Sequence, residues 1–247
     1  MRRWGPWRRP ARRVPLGALV VILPVVWIAF AAFKTQIALL RGDLVFTPYL
    51  GNFEELLFSK ASDYPANFLS SAWVASVSTA MVLLIATLAA YSMYRLRWPS
   101  WIPALVLMGS LVFHMIPPIT LVGPWYVMFR SIGWDSTYTA LVLTPVALNL
   151  PIGIAVMSVF VRDIPIEIEE SARLDGSSTP QMLWHIVFPL VRPGLAATGI
   201  LVFVFSWNEF AVALNLTSRQ TATVPAVSYT HLRAHETVLD LVCRLLL

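Results

Sequence analysis

The chain has 247 residues, of which 57% are hydrophobic and only 13% charged, with a mean hydropathy of +0.70. Soluble domains carry roughly a quarter of their residues as Asp, Glu, Lys and Arg, so this composition excludes one and makes lipid the solvent for much of the surface. The net charge of +5 does not signal a nucleic-acid partner, because six of the eighteen basic residues, Arg2, Arg3, Arg8, Arg9, Arg12 and Arg13, cluster as membrane flanks do; the single cysteine, Cys243, excludes an intrachain disulfide and any zinc site built from several thiolates.

In chain order, uncharged apolar runs occupy residues 15–33, 68–94, 101–129, 138–161 and 194–207, the last continuing past Glu209. A helix needs about 20 residues to cross about 30 Å of hydrocarbon, and lipid cannot satisfy an open strand edge. The reading is an all-α membrane protein with five transmembrane helices. The first run follows arginines, as a secretory signal does. Its apolar part exceeds a signal core and no small-residue cleavage pattern follows, so it reads as a retained anchor. Residues 1–14 form an Arg-rich segment ahead of it.

Short connections rich in Lys and Arg stay on the cytoplasmic side. With the N-terminus inside, the inner segments hold eleven basic residues (the six above with Arg95, Arg97, Arg162, Arg173 and Arg192), and the outer ones hold five: Lys34, Arg41, Lys60, Arg130 and Arg219. The opposite orientation reverses the bias. Trp73, Trp98, Trp101, Trp125, Trp134 and Trp207 fall near span ends, where an indole bridges headgroup and hydrocarbon.

The connection from Arg162 to Arg192 is the longest and most charged inner loop. Asp163, Glu167, Glu169, Glu170 and Asp175 alternate with Ile164, Ile166, Ile168, Ala172 and Leu174, which predicts a short helix with apolar side chains on one side and acids on the other. Pro165 suits its first turn, and the acids suit its positive end. Asp175-Gly176 stops it, since glycine takes the left-handed conformation readily. Thr179-Pro180 starts a second helix as N-cap and first-turn pair, and Pro189 closes it.

Glu170-Ser171-Ala172, three residues, Gly176, nine residues, and Ile186-Val187-Phe188-Pro189 resemble the EAA loop of ABC importer permeases. Ser171 stands where the family pattern has alanine, and Phe188 where it has leucine; the spacing matches without a gap. Thr47-Pro48, Asn52-Phe53, Met115-Ile116-Pro117-Pro118, Asn149-Leu150-Pro151 and Trp207-Asn208-Glu209-Phe210 are similar to the carbohydrate branch of these binding-protein-dependent inner-membrane components, specifically its maltose-type second permease, over residues 15–225. The resemblance implies six spans, a multi-pass location in a bacterial or archaeal plasma membrane, and a coupling role for the loop at 163–192. It also implies three kinds of partner: a dimeric cytosolic ATP-binding subunit, a second homologous permease and an extracytoplasmic sugar-binding protein. Within the loop it implies an ionic contact from Glu170 to the ATPase, a turn at Asp175 and Gly176, and apolar packing by Ala172, Ile186 and Phe188. The chain has no Gly-x-x-x-x-Gly-Lys-Ser/Thr phosphate loop, so ATP hydrolysis is expected in the partner and not here. No cofactor is expected.

Asn208 and Glu209 are candidates for the translocation path, since an ionisable group inside a span usually faces a cavity or a partner. The competing reading places Glu209 at the outer interface or against the companion permease. His114 and His185 lack a second ligand at helical spacing and read as packing or loop residues, not metal ligands. Pro117, Pro118, Pro145 and Pro151 predict kinks or breaks. Residues 15–226 read as the transmembrane domain, stopping before the sixth span, and 227–247 as an unrelated, artefactual tail, with an amphipathic surface helix as the alternative. Among other classes, a secondary transporter or channel without an ATPase would need no such loop and would usually show inverted repeats. A membrane enzyme would need a nucleophile or paired acid-base cluster that the spans lack.

Overall fold

A computed structural model describes residues 13–59, 62–96, 98–209, 211–216 and 221–227. The segment before residue 13, Lys60, Arg97, Phe210, Arg219 and the tail from residue 228 lie outside the described residues. Every regular element among the described residues is helical. The chain divides into two compact units, Met1–Pro65 and Ala66–Leu247.

The first unit contains α1 (Arg13–Ala31), α2 (Gln36–Arg41) and α3 (Gly51–Phe58). The Thr35 side chain caps α2 at its start and Gly42, at φ 72°, ends it. Lys34, counted from the sequence as an outer charge, is buried. Its ammonium donates to the Asp43 carbonyl at 2.6 Å and lies over the Trp27 and Phe46 rings. Asn52 donates to the carbonyls of Ala32 and Lys34, tying α3 to the end of α1.

The second unit is built on α4 (Tyr64–Arg95) and α7 (Tyr138–Arg162), each long and apolar enough to cross a membrane unbroken. At 32 residues α4 is about 48 Å long, which carries its last turn beyond the hydrocarbon. Small side chains form its buried face: Ser71, Ala75, Ser78, Val82, Ala86 and Ala90 recur every three or four residues. Such a row lets helix backbones approach, the usual means of packing where lipid is as apolar as the side chains. Gly153 on α7 faces it, and Ser78 donates to the Val142 carbonyl across the contact at 3.0 Å.

Two of the predicted spans are broken. The third run folds as α5 (Trp101–His114) and α6 (Pro118–Ser131), which meet at 97°. Pro117 and Pro118 account for the break: neither has an N–H to continue the ladder, and each pushes its predecessor out of the α region. The fifth run, α11 (Arg192–Trp207), joins the segment Thr179–Leu190 at 75°. Further on, α11 stops at Trp207 instead of continuing through Glu209, and α12 (Ala211–Leu216) begins anew. The first run gives α1, 19 residues long. Among the described residues two helices are long and apolar enough to cross unbroken, and the number rises to four if each bent pair crosses as a unit. Pro145 and Pro151, by contrast, sit inside an unbroken α7.

Contacts fix the directions of the helices. Ser70 bonds Tyr138 at 2.9 Å near the starts of α4 and α7, and Arg95 bonds the carbonyl of Val161 near their ends, so these two helices run parallel. Along α11 the pairing is reversed, with Met157 against Thr198 and Asn149 against Ser206, so it runs antiparallel to α7. On α5, Leu105, Met108, Leu111 and Val112 are all more than half exposed, an apolar surface suited to lipid.

Candidate functional site

Between α7 and α11 the chain forms α8 (Ile166–Leu174), α9 (Thr179–Met182), a widened π-helical turn at Leu183–Val187 and α10 (Phe188–Leu190). Pro165 caps the start of α8. At its end Gly176 takes φ +82°, its N–H bonds the Arg173 carbonyl, and the Ser177 N–H bonds the Ala172 carbonyl, the two bonds of a Schellman motif. The glycine stop predicted from Asp175-Gly176 is present. No heavy atom outside the local chain lies within 4 Å of where a Gly176 Cβ would sit, so only the backbone conformation demands glycine. Gly176→Val should therefore lower stability by about 1–3 kcal/mol, and Gly176→Asn by less, as read from thermal denaturation in detergent. Equal midpoints for the two variants would argue against the left-handed turn.

The second helix departs from its expected boundaries. Ser178, not Thr179, is the N-cap; its N–H donates to the Gln181 side chain at 2.9 Å, and Thr179 and Pro180 are the first two helical residues. Pro189 does not end the helix but lies inside α10. The loss of its N–H is accommodated just upstream, where the Phe188 N–H reaches back five residues to the Leu183 carbonyl. The chain turns instead at Val191.

The predicted partition of α8 is also overturned. Ile166, Ile168 and Leu174 are exposed, Leu174 at 89%, whereas Glu169 is buried at 0% together with Ala172. A buried carboxylate needs a cation, and Arg95, the last residue of α4, provides it: Nε lies 2.5 Å from Glu169 Oε1, and Nη2 donates to the carbonyls of Ile164 at 2.7 Å and Val161 at 3.3 Å. Tyr91, one turn earlier on α4, donates to Glu169 Oε2 at 3.2 Å, and Arg173 lies 3.8 Å from the same oxygen. This cluster was missed in the sequence. Its available signal was the spacing Glu169 to Ala172, which puts an acid on the same helical face as a small apolar residue.

Of the residues singled out in the loop, Glu170, Ser171, Asp175 and Gly176 are exposed, Ala172 is buried, and Ile186, Phe188 and Pro189 are half-buried. Asp175, Gly176 and Ile186 come together with Ser177, Gln181 and His185 around an open notch of about 300 Å³. Glu170 is not among its lining residues. Phe188 stacks on Trp184 at 4.8 Å. His185 Nδ1 is 3.0 Å from the Gln181 carbonyl, and among the described residues no three His, Cys, Asp or Glu side chains converge as metal ligands.

Asn208 and Glu209 lie at the opposite end of α11, about 24 Å from the loop by helical rise. The Glu209 carboxylate accepts from the N–H groups of Val212 at 2.9 Å and Ala213 at 3.0 Å, capping α12 at the break in the fifth run. It also lines a small cleft with Ser71, Pro145, Ser206 and Thr223. Asn208 is exposed and donates to the Val204 carbonyl.

Residues 82–230 match the family described as the binding-protein-dependent transport system inner membrane component. The chain belongs to that family. This permease is 33% identical over 229 residues to the trehalose transport system permease protein SugB of Mycobacterium tuberculosis, an alignment covering 90% of this chain and 81% of that one. It is 32% identical to the trehalose/maltose transport system permease protein MalG of Thermococcus litoralis, covering 85% and 76%. It is also 32% identical to the sulfoquinovosyl glycerol transport system permease protein SmoH of Agrobacterium fabrum, covering 85% and 74%. In structure, this permease resembles a bacterial ABC transporter involved in the import of the acidic polysaccharide alginate, with a TM-score of 0.71 and 19% identity over 91% of this chain and 81% of that one, which bears on the fold.

Proposed function

We propose that this permease carries a sugar or sugar derivative as one half of the membrane channel of an ATP-driven importer, and that residues 163–192 form its coupling loop. The sugar class rests on the substrates named for the three relatives above. In this reading a cytosolic ATPase dimer docks on the loop, a second permease completes the channel, and an external binding protein delivers the sugar. The observation that carries the docking is the exposed apolar set Ile166, Ile168, Leu174 and Trp184 beside the exposed acids Glu170 and Asp175. Apolar side chains outside the hydrocarbon, rimmed by charge, mark a surface that a protein partner covers.

Glu170 faces the ATPase and pairs with one of its basic residues, Gly176 shapes the turn, and Asp175, Ser171, Ile186 and Phe188 complete the docking surface; Ala172 supports it from beneath and Pro189 sets its outer boundary. Glu170→Arg should abolish copurification of the ATPase or its substrate-stimulated ATP hydrolysis; normal coupling in that variant would remove Glu170 from the mechanism. At the other end of α11, Asn208 and Glu209 border the translocation path, Glu209 by holding the break open. The N-terminus faces the cytoplasm, residues 15–226 make up the transmembrane domain, and the bias of eleven inner to five outer basic residues supports this orientation. A reporter fused near Gly176 should read cytoplasmic and one near Asn52 external, and exchanged labels would invert the topology.

A further inference from the structure

We propose that the buried Arg95–Glu169 pair is the joint that makes α8, α4 and α7 move as one body. The proposal rests on the docking reading above and adds which spans the loop drives directly.

Three helices meet in one guanidinium. Arg95 closes α4, its Nε binds α8 through Glu169, and its Nη2 binds two carbonyls at and just beyond the end of α7. A guanidinium is a rigid planar fork whose donors cannot be redirected independently, so displacing any one of these helices alone would break bonds to the others. Glu169 is held a second time from α4 by Tyr91, one turn before Arg95, so the carboxylate is fixed in both position and rotation. The Arg95 side chain is 8% exposed and that of Glu169 0%. Separation in so dry a place would leave two charges without partners or water, which is what makes the joint stiff.

Among the described residues, no ion pair ties α9, α10 or α11 to the rest of the unit. α11 is held to α7 by the hydrogen bonds Asn149 to Ser206 and Thr198 to Met157 and by the close approach of Gly194 to Phe160, so the ionic joint of the loop lies on its α8 side. Arg95 and Glu169 are positioning residues: they touch no substrate and hold the docking helix against two membrane spans.

The test uses spin labels on the complete transporter, reconstituted with its ATPase, companion permease and binding protein, in a Cys243→Ser background. Paired labels at the exposed positions Glu167 and Leu88 report α8 against α4. On trapping with ATP and vanadate, the Glu167–Leu88 distance should shift by no more than about 1–2 Å, the range of packed-helix shear. Glu169→Gln, or Arg95→Lys if the first variant fails to assemble, should broaden the Glu167–Leu88 distribution and lower sugar transported per ATP hydrolysed while the ATPase still copurifies. A wild-type Glu167–Leu88 shift well beyond that range overturns the joint but leaves docking intact. If adding the ATPase leaves the mobility of the Glu167 label unchanged, the docking reading falls and takes this one with it.

Discussion

Glu169→Ala should destabilise the protein by about 3–5 kcal/mol, the cost of leaving one member of a buried ion pair uncompensated. Arg95 would keep its bonds to the Val161 and Ile164 carbonyls, which places the effect toward the lower end, but the guanidinium would lose the one carboxylate paired with it among the described residues. The neighbouring Glu170→Ala is the internal control. Glu170 is exposed, and surface substitutions usually stay within about 0.5 kcal/mol. Thermal denaturation of the two variants in the same detergent should separate them by many degrees. Matched midpoints would mean that Glu169 is solvated and that the contact with Arg95 contributes little.

Replacement of Gly153 by leucine is the second change expected to have a large effect. A Cβ there would lie 2.7 Å from Val82 Cγ1 and 3.3 Å from Ala86 Cβ, and a valine methyl has no free rotamer into which it can retreat. α4 and α7 would have to separate, breaking the Ser78 bond to Val142 as well. Overpacking of a tight core costs about 1–3 kcal/mol, and leucine belongs at the upper end because three more carbons follow the Cβ. Gly109 provides the contrast: it lies in α5 with nothing within 4 Å of its Cβ position, and Gly109→Ala should be neutral or stabilising by up to about 1 kcal/mol through helix propensity. Membrane abundance and detergent melting of the pair measure the difference. A Gly153→Leu protein as stable as the Gly109→Ala one would refute close packing of α4 on α7.

The helical class and the apolar runs were legible because lipid exposure leaves long uncharged stretches that little else explains. The Asp175-Gly176 stop was legible for an equally local reason: a glycine after a short amphipathic segment has few other uses. What escaped was whatever depended on a distant partner. Lys34 reads as a surface charge until Trp27, Phe46 and the Asp43 carbonyl surround it. Glu169 differs from Glu170 in the sequence by its spacing to Ala172 alone, and its partner Arg95 at the end of α4 lies 74 residues earlier. The prolines at 117 and 118 announced the break between α5 and α6, but hydropathy ran through the one at Asn208-Glu209, because a window average does not register a carboxylate that restarts the ladder. The row of small residues on α4 was hidden in the same way, since serine and alanine lower a hydropathy average while improving the fit.

The widened turn at Leu183–Val187 has a bearing on everything downstream of it. Winding that closes five residues back instead of four holds one residue more than a regular helix, and one residue is worth about 100° of rotation. The 75° bend at Val191 lies between that turn and α11, so the surplus residue sets the direction in which the chain enters the bend ahead of the row that α11 buries, Gly194, Thr198, Val202 and Ser206.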